Sequence, residues 1–260
     1  MEGYELPLLK GTLPVRLCVP SFLYRAGWAA NVERVRSAVD EVELLFFESD
    51  ARCGLPLPEE ISRMASLARP AGLSFNVHLP LDIDVCSVDP AERARARQTI
   101  LQVLALSAPL APHTFVLHAP REAGLASDTW RGGLSEALSQ LPEPHARFAV
   151  ENTDSDLRAC ADILSELRYS VCMDLGHLLA RGEDPERFVD TFGPSVTMIH
   201  LHGVRDGRDH LPLSVLSPAE KGRLAALLRR MHFAGTLSVE VFSVDGFMES
   251  LPTLREVLPW

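Results

Sequence analysis

Residues 196–210 read VTMIHLHGVRDGRDH. The first seven form an apolar, β-rich run that closes on two histidines, His200 and His202. Near-continuous hydrophobicity, without polar alternation, marks a strand buried on both faces of a parallel sheet. Imidazoles at the end of such a strand are either hydrogen-bonded structural groups or ligands of a site. One strand cannot separate these readings, but other strands ending the same way would.

Seven further runs share the pattern: VRLCVP (15–20), VELLFFE (42–48), LSFNVHLP (73–80), TFVLHAP (114–120), RFAVENT (147–153), SVCMDLGH (170–177) and LSVEVF (237–242). Stretches of helical character lie between them: 28–39, 58–72, 89–109, 127–141, 154–168, 185–193, 217–235 and 245–258. Several open on Pro or Asp-Pro and close near Gly, as helix starts and stops do. Eight β–α units in about 250 residues predict an α/β fold, a single (β/α)₈ TIM barrel. The competing open doubly wound sheet lacks its GxGxxG loop after the first strand. No linker or low-complexity tract interrupts the chain. The expectation is one domain over 1–260, with residues 1–14 as an N-terminal arm across the barrel bottom.

Composition narrows the function classes. At 47% hydrophobic and 23% charged, the 260 residues suffice for a sizeable core. The net charge of −10, with no Lys/Arg block, argues against a nucleic-acid partner. Five scattered cysteines (Cys18, Cys53, Cys86, Cys160, Cys172) without a CxxC pair suggest reduced thiols and a cytoplasmic protein. Neither a signal peptide nor an apolar stretch of membrane-spanning length is evident.

A (β/α)₈ barrel places its active site at the C-terminal strand ends. Those ends carry Glu48, His78, His118, Glu151, Asp174 with His177 one turn on, His200 and His202 with His210 beyond, and Glu240. Of nine histidines, only His113, His145 and His232 fall elsewhere. A lone strand-end His or carboxylate is usually structural. A whole ring of them would bring several carboxylates to one small mouth, where they repel unless cations intervene. Mixed imidazole and carboxylate donors suit divalent ions, Zn²⁺ or Mn²⁺ foremost.

VHLP, LHAP, VENT, MDLGH, MIHLHG and VEVF, in this order on successive strands, resemble the xylose-isomerase-like superfamily, which includes endonuclease IV and sugar isomerases and epimerases. The resemblance implies a shared metal site of Glu151, Asp174, His200 and Glu240. It implies a second metal on His78 and His118 with Glu151 bridging, and a third on His177 and His210. One to three ions per chain follow. The third site's usual Asp falls at Arg208 here, with Asp206 and Asp209 as substitutes. His202 has no ligand counterpart, although it shares a strand face with His200.

VDEVELLFFES and LSFNVHLPLDID resemble the cobamide-remodelling phosphodiesterases of the same superfamily. That implies hydrolysis of a cobamide's nucleotide-loop phosphodiester, yielding cobinamide and an α-ribazole phosphate from a small-molecule corrinoid substrate. Glu151, Glu240, His177 and His202 are then the candidate catalytic groups. Glu48, Arg121, Asn152 and Tyr24 are candidate substrate contacts, with Phe22 and Trp28 beside Tyr24 as a wall for a flat ring. Each has a plainer reading: loop cap for Glu48, solvated Arg for Arg121, carboxylate orientation for Asn152, packing for the aromatics and for Cys172. The alternative function is a divalent-metal-dependent sugar (phosphate) isomerase or epimerase using the central quartet, with Glu151 and Glu240 on opposite sides of the sugar.

Overall fold

The computed structural model describes residues 5–50, 54–121, 126–153 and 155–258. In chain order its strands are β1 (Arg16–Pro20), β2 (Glu41–Leu45), β3 (Ser74–His78), β4 (Phe115–His118), β5 (Phe148–Glu151), β6 (Ser170–Asp174), β7 (Val196–Leu201), β8 (Gly203–Arg205), β9 (Arg208–Leu211) and β10 (Thr236–Val239). Its helices are α1 (Trp28–Val35), α2 (Pro58–Ala68), α3 (Pro90–Ser107), α4 (Ser127–Ser139), α5 (Ala161–Glu166), α6 (Leu175–Ala180), α7 (Pro185–Phe192), α8 (Pro218–Met231) and α9 (Val244–Val257). Eight strands close into a parallel barrel in the order β1-β10-β7-β6-β5-β4-β3-β2. This is the (β/α)₈ architecture the apolar runs predict.

Local chemistry sets the boundaries. Pro58, Pro90, Pro185 and Pro218 each open a helix, where a missing N–H costs nothing. Asp89 and Asp184 accept from the amides of Ala91 and Glu186 at 2.8 and 3.1 Å. Ser217 and Glu220 form a reciprocal capping box at α8.

Three features depart from expectation. β2 ends at Leu45, so Phe47 and Glu48 lie beyond the strand and are exposed. The stretch 154–168 holds only a short 3₁₀ turn and α5, and its first residue lies outside the described ones. The segment after β7 is an antiparallel hairpin, β8–β9, turned at Asp206-Gly207 with φ of 53° and 72°. Two consecutive positive φ values are what a type I′ turn requires, and Asp-Gly supplies them at low strain.

The barrel interior is divided. Beneath β4–β7 it is apolar, filled by Val116, Ala149, Cys172 and Met198. Cys172 is thus packing, as its plainer reading holds. The β10–β1–β2–β3 side is polar. Glu41, fully buried, accepts from Asn76 Nδ2 (2.8 Å), Ser74 Oγ (3.1 Å) and Thr236 Oγ1 (3.2 Å) and faces Arg16 Nε at 3.2 Å. A buried carboxylate is tolerable only with such a donor set.

At the opposite end from the strand termini, Leu6 and Leu9 are buried and the Leu9 amide donates to Ala38 O (2.8 Å). Lys10 Nζ donates to Arg36 O (3.0 Å) and Ala71 O (2.7 Å), binding this segment to the loops that enter β2 and β3. Residues 1–4 of the expected arm, and Cys53, lie outside the described residues. The other four cysteines are free and buried.

Candidate metal centre

Parallel register brings the strand-end groups together. His118 stands opposite Glu151 on neighbouring strands, and Asp174 opposite His200. Such neighbours lie within one strand spacing of each other, about 4.8 Å. His78 and His118 end β3 and β4, Glu151 ends β5, Asp174 ends β6, and Glu240 follows β10 by one residue.

Glu151 lies at the centre. Its Oε2 is 3.1 Å from His78 Nε2 and 3.0 Å from His118 Nε2, and its Oε1 is 3.1 Å from His200 Nδ1. One oxygen therefore faces the β3–β4 pair and the other faces β7. His78 Nδ1 donates to Leu79 O at 2.9 Å, because a carbonyl can only accept. A neutral His78 would then turn the lone pair of Nε2 onto a carboxylate oxygen. Either a proton or a metal ion must sit between them. The same holds for His200, whose two nitrogens face carboxylates on both sides: Glu151 and, at Nε2, Glu43 Oε1 (3.0 Å).

Asp174 divides its labour. Oδ1 caps α6 by accepting from the His177 amide (2.7 Å). Oδ2 has no hydrogen-bond partner and lies 3.4 Å from His177 Nδ1 and 4.0 Å from His200 Nδ1. Glu240 Oε2 and His177 Nδ1 are likewise buried without a hydrogen-bond partner. Orphaned buried polar atoms are costly and rare. Here they are lone-pair donors around one small space, which fits a cation.

Four overlapping groups have ligand atoms all within 4.8 Å: His78/His118/Glu151, Glu151/Asp174/His177, Asp174/His200/Glu240 and His177/His202/His210. The electrostatics agree. Burial, together with the nearby Asp174, Glu151 and Glu43 carboxylates, pushes Glu240 well above the ordinary carboxylate range despite His200. Burial also works against the charge on Glu151, but His200 and His118 outweigh it and hold that carboxyl well below its usual range.

The hairpin carries His210 back over the mouth. Its ring stacks on His202 (4.2 Å between centroids) and on Phe242 (4.5 Å). Arg208 is exposed, and of the two substitutes for it only Asp209 has a contact to this cluster, its Oδ2 lying 3.8 Å from His177 Nε2. Phe242 continues into Phe22 (5.3 Å) and Phe47 (5.0 Å from Phe22). The aromatic wall at the mouth is therefore Phe22–Phe47–Phe242.

The expected substrate contacts mostly fall away from this cluster. Tyr24 is buried in the core, with the Arg34 guanidinium 4.8 Å from its ring centre. Trp28 packs edge-on against Phe46. Arg121 lies 5.9 Å from the ring centre of buried Trp130, on the helix layer. Both amide atoms of Asn152 bond to the Asp174 backbone, at 2.8 and 2.9 Å, so it aligns β6 with β5.

Glu43 is the residue the strand-end list misses. It is fully buried, accepts from Ser238 Oγ (2.7 Å) and holds His200 Nε2, which leaves Nδ1 directed at the cluster. A carboxylate on the far nitrogen fixes tautomer and orientation of a liganding imidazole. The available signal was a mid-strand pair, Glu41 and Glu43, spaced to share one face of an apolar run.

A family model described as "Xylose isomerase-like TIM barrel" matches residues 32–260. No curated protein matches the chain in sequence. Among solved structures, a D-tagatose 3-epimerase-like protein superposes with a TM-score of 0.76 at 17% identity, covering 94% of this chain and 97% of the other. A D-allulose 3-epimerase from Methylomonas sp. gives 0.74 at 14%, covering 95% and 99%. A D-psicose 3-epimerase from Clostridium cellulolyticum H10, with D-tagatose, gives 0.69 at 12%, covering 93% and 97%. These likenesses establish the fold.

Proposed function

Since the chain belongs to the xylose isomerase-like TIM barrel family, we propose that its mouth is the centre of a divalent-metal-dependent phosphodiesterase. The observation that carries this reading is the Glu151 carboxylate, one oxygen toward His78 and His118 and the other toward His200. A one-ion sugar enzyme needs only the quartet Glu151, Asp174, His200 and Glu240; two further imidazoles against the same carboxylate suit more than one ion. When bound, divalent ions at such a site supply a water nucleophile at neutral pH and neutralise charge on phosphate oxygens.

The chain's own residues do the rest. Glu151, His78 and His118 hold one side of the centre, and Asp174, His200 and Glu240 the other. His177 and His210 are partly exposed toward solvent, and in this reading they bind the phosphate or a third ion. The Phe22–Phe47–Phe242 wall, its rings tilted to one another, offers an apolar surface next to His210, which suits a substrate whose phosphodiester adjoins a large apolar body. Cobamide nucleotide-loop cleavage, implied by the N-terminal motifs, meets that description.

The second reading is a metal-dependent sugar epimerase or isomerase. The solved relatives speak for it and not for cobamide cleavage, since they are mainly 3-epimerases. It would leave His78 and His118 without a chemical role. One experiment separates the two: incubate the Mn²⁺- or Zn²⁺-loaded protein with adenosylcobalamin and with a ketose panel, and follow products by mass spectrometry. Cobinamide is the expected product. An epimerised ketose with no cobinamide would replace the first reading by the second.

A further inference from the structure

We propose that His202 is a positioning residue and not a metal ligand: it latches the β8–β9 hairpin, and with it His210, onto Asp174. The inference rests on the metal-centre reading, not on the reaction assigned to it.

Hydrogen-bond polarity carries the assignment. The backbone N–H of His210 donates to His202 Nδ1 at 3.0 Å. An amide nitrogen only donates, so Nδ1 holds the ring's lone pair. The proton of neutral His202 is then on Nε2, which faces Asp174 Oδ1 at 3.2 Å. Nε2 is buried without a hydrogen-bond partner, so its link to Asp174 is a close electrostatic contact. A metal on Nε2 would require the proton on Nδ1, setting two donors face to face. The carbonyl of Gly203, at 3.4 Å from Nδ1, is the weaker alternative acceptor.

The surroundings are built to hold this ring. His202 is fully buried. A Cβ added to Gly176 would collide with its Cε1, Nδ1 and Nε2. The glycine in DLGH is therefore the space His202 occupies. Above the ring lies the His210 imidazole, at 4.2 Å and 28°, and beyond that Phe242, at 4.5 Å and 27°. His202 thus joins the first turn of α6 to the hairpin, whose His210 in turn stacks on Phe242, beyond β10. It also presents a donor to the Asp174 oxygen that already caps α6, leaving Oδ2 to the centre.

Two measurements on the full chain test this. The first is a thermal-unfolding cycle of Gly176→Ala and His202→Ala. Gly176→Ala is expected to lower the midpoint when His202 is present. It should be neutral or stabilising in the His202→Ala background, because Ala is the better helix former and its methyl enters vacated space. Equal losses in both backgrounds would overturn the latch. The second is titration with Co²⁺ alone, read by its visible absorption. His202→Phe removes the acceptor for His210 N–H and should weaken Co²⁺ binding about 10–100-fold, the usual scale for a group behind the ligands. His202→Asn restores an acceptor near the Nδ1 position and should keep the wild-type number of ions with a recovered spectrum. Loss of one full equivalent of Co²⁺ in His202→Asn would make His202 a ligand and end the proposal. A wild-type chain that bound no Co²⁺ would sink the metal-centre reading itself, while the unfolding cycle would still decide the latch.

Discussion

The two flanks of the mouth use the same side chain in different ways. His78 and His118, with Glu151, occupy the last residues of three adjacent barrel strands. Their spacing is set by backbone ladders that the whole barrel enforces. His177, His202 and His210 come from a helix turn, a strand extension and a hairpin, and His210 sits at φ 48°. Their spacing is set by side-chain contacts. The first flank is rigid by register and the second by tethering, so damage should propagate differently through each.

The sharpest way to break the contrast is at the shared carboxylate. Glu151→Ala should remove bound metal and reduce turnover to background, by elemental analysis and product assay together. Full metal content in that variant would end its bridging role. Next, His78→Ala or His118→Ala should cost about 10²–10³-fold in kcat, the scale of one preorganised charge-stabilising group. Epimerase activity surviving unchanged in both would favour the one-ion reading. Glu43→Leu should weaken metal affinity by about 10–100-fold with the barrel still folded; isothermal titration beside circular dichroism separates affinity from folding.

Acidity gives a signed test. Glu240, raised above its ordinary 4.5 in the folded chain, contributes stability that is complete below that value and is lost as pH rises through its raised one. Glu151, depressed below 4.5, contributes stability above that value that is lost as pH falls through its lowered one. Metal must displace the Glu240 proton, so affinity should climb with pH and binding should release protons, measurable by titration in buffers of different ionisation enthalpy. Affinity that fell with rising pH would remove Glu240 from the ligand set. The smallest effect belongs to the tethered flank's edge. Asp209→Asn should cost at most about 1 kcal/mol in metal binding, as exposed charge contacts do, and Asp206→Asn should be silent. The reverse order would move the third-site role to Asp206.

The ring of strand-end donors was legible because strand period and barrel rule act together: a ligand closing an apolar run has one place to go. Glu43 was hidden because it lies inside such a run, where the eye counts apolar neighbours. Its partner His200 is 157 positions away, beyond any local pattern. The hairpin did have a local sign, Asp206-Gly207, overshadowed by the histidines around it. Tyr24 and Arg121 turn away from the histidine cluster for a common reason. Sequence places a residue near a strand end but does not say which side of the βα turn its side chain takes, and theirs went to core and helix layer.

The seam between β1 and β10 has a consequence for biogenesis. The side chains of Glu41 and Glu43 cross to Thr236 and Ser238 on β10, the last barrel strand in the chain. Glu240 follows directly. A chain emerging from the ribosome, N-terminus first, carries His78, His118 and Glu151 long before it can complete the central quartet. Metal capture at the proposed centre would therefore be coupled to ring closure. A stalled nascent chain lacking β10 would offer histidines without their last carboxylate, and the arrival of that strand is the event that would turn a loose chelator into a selective one.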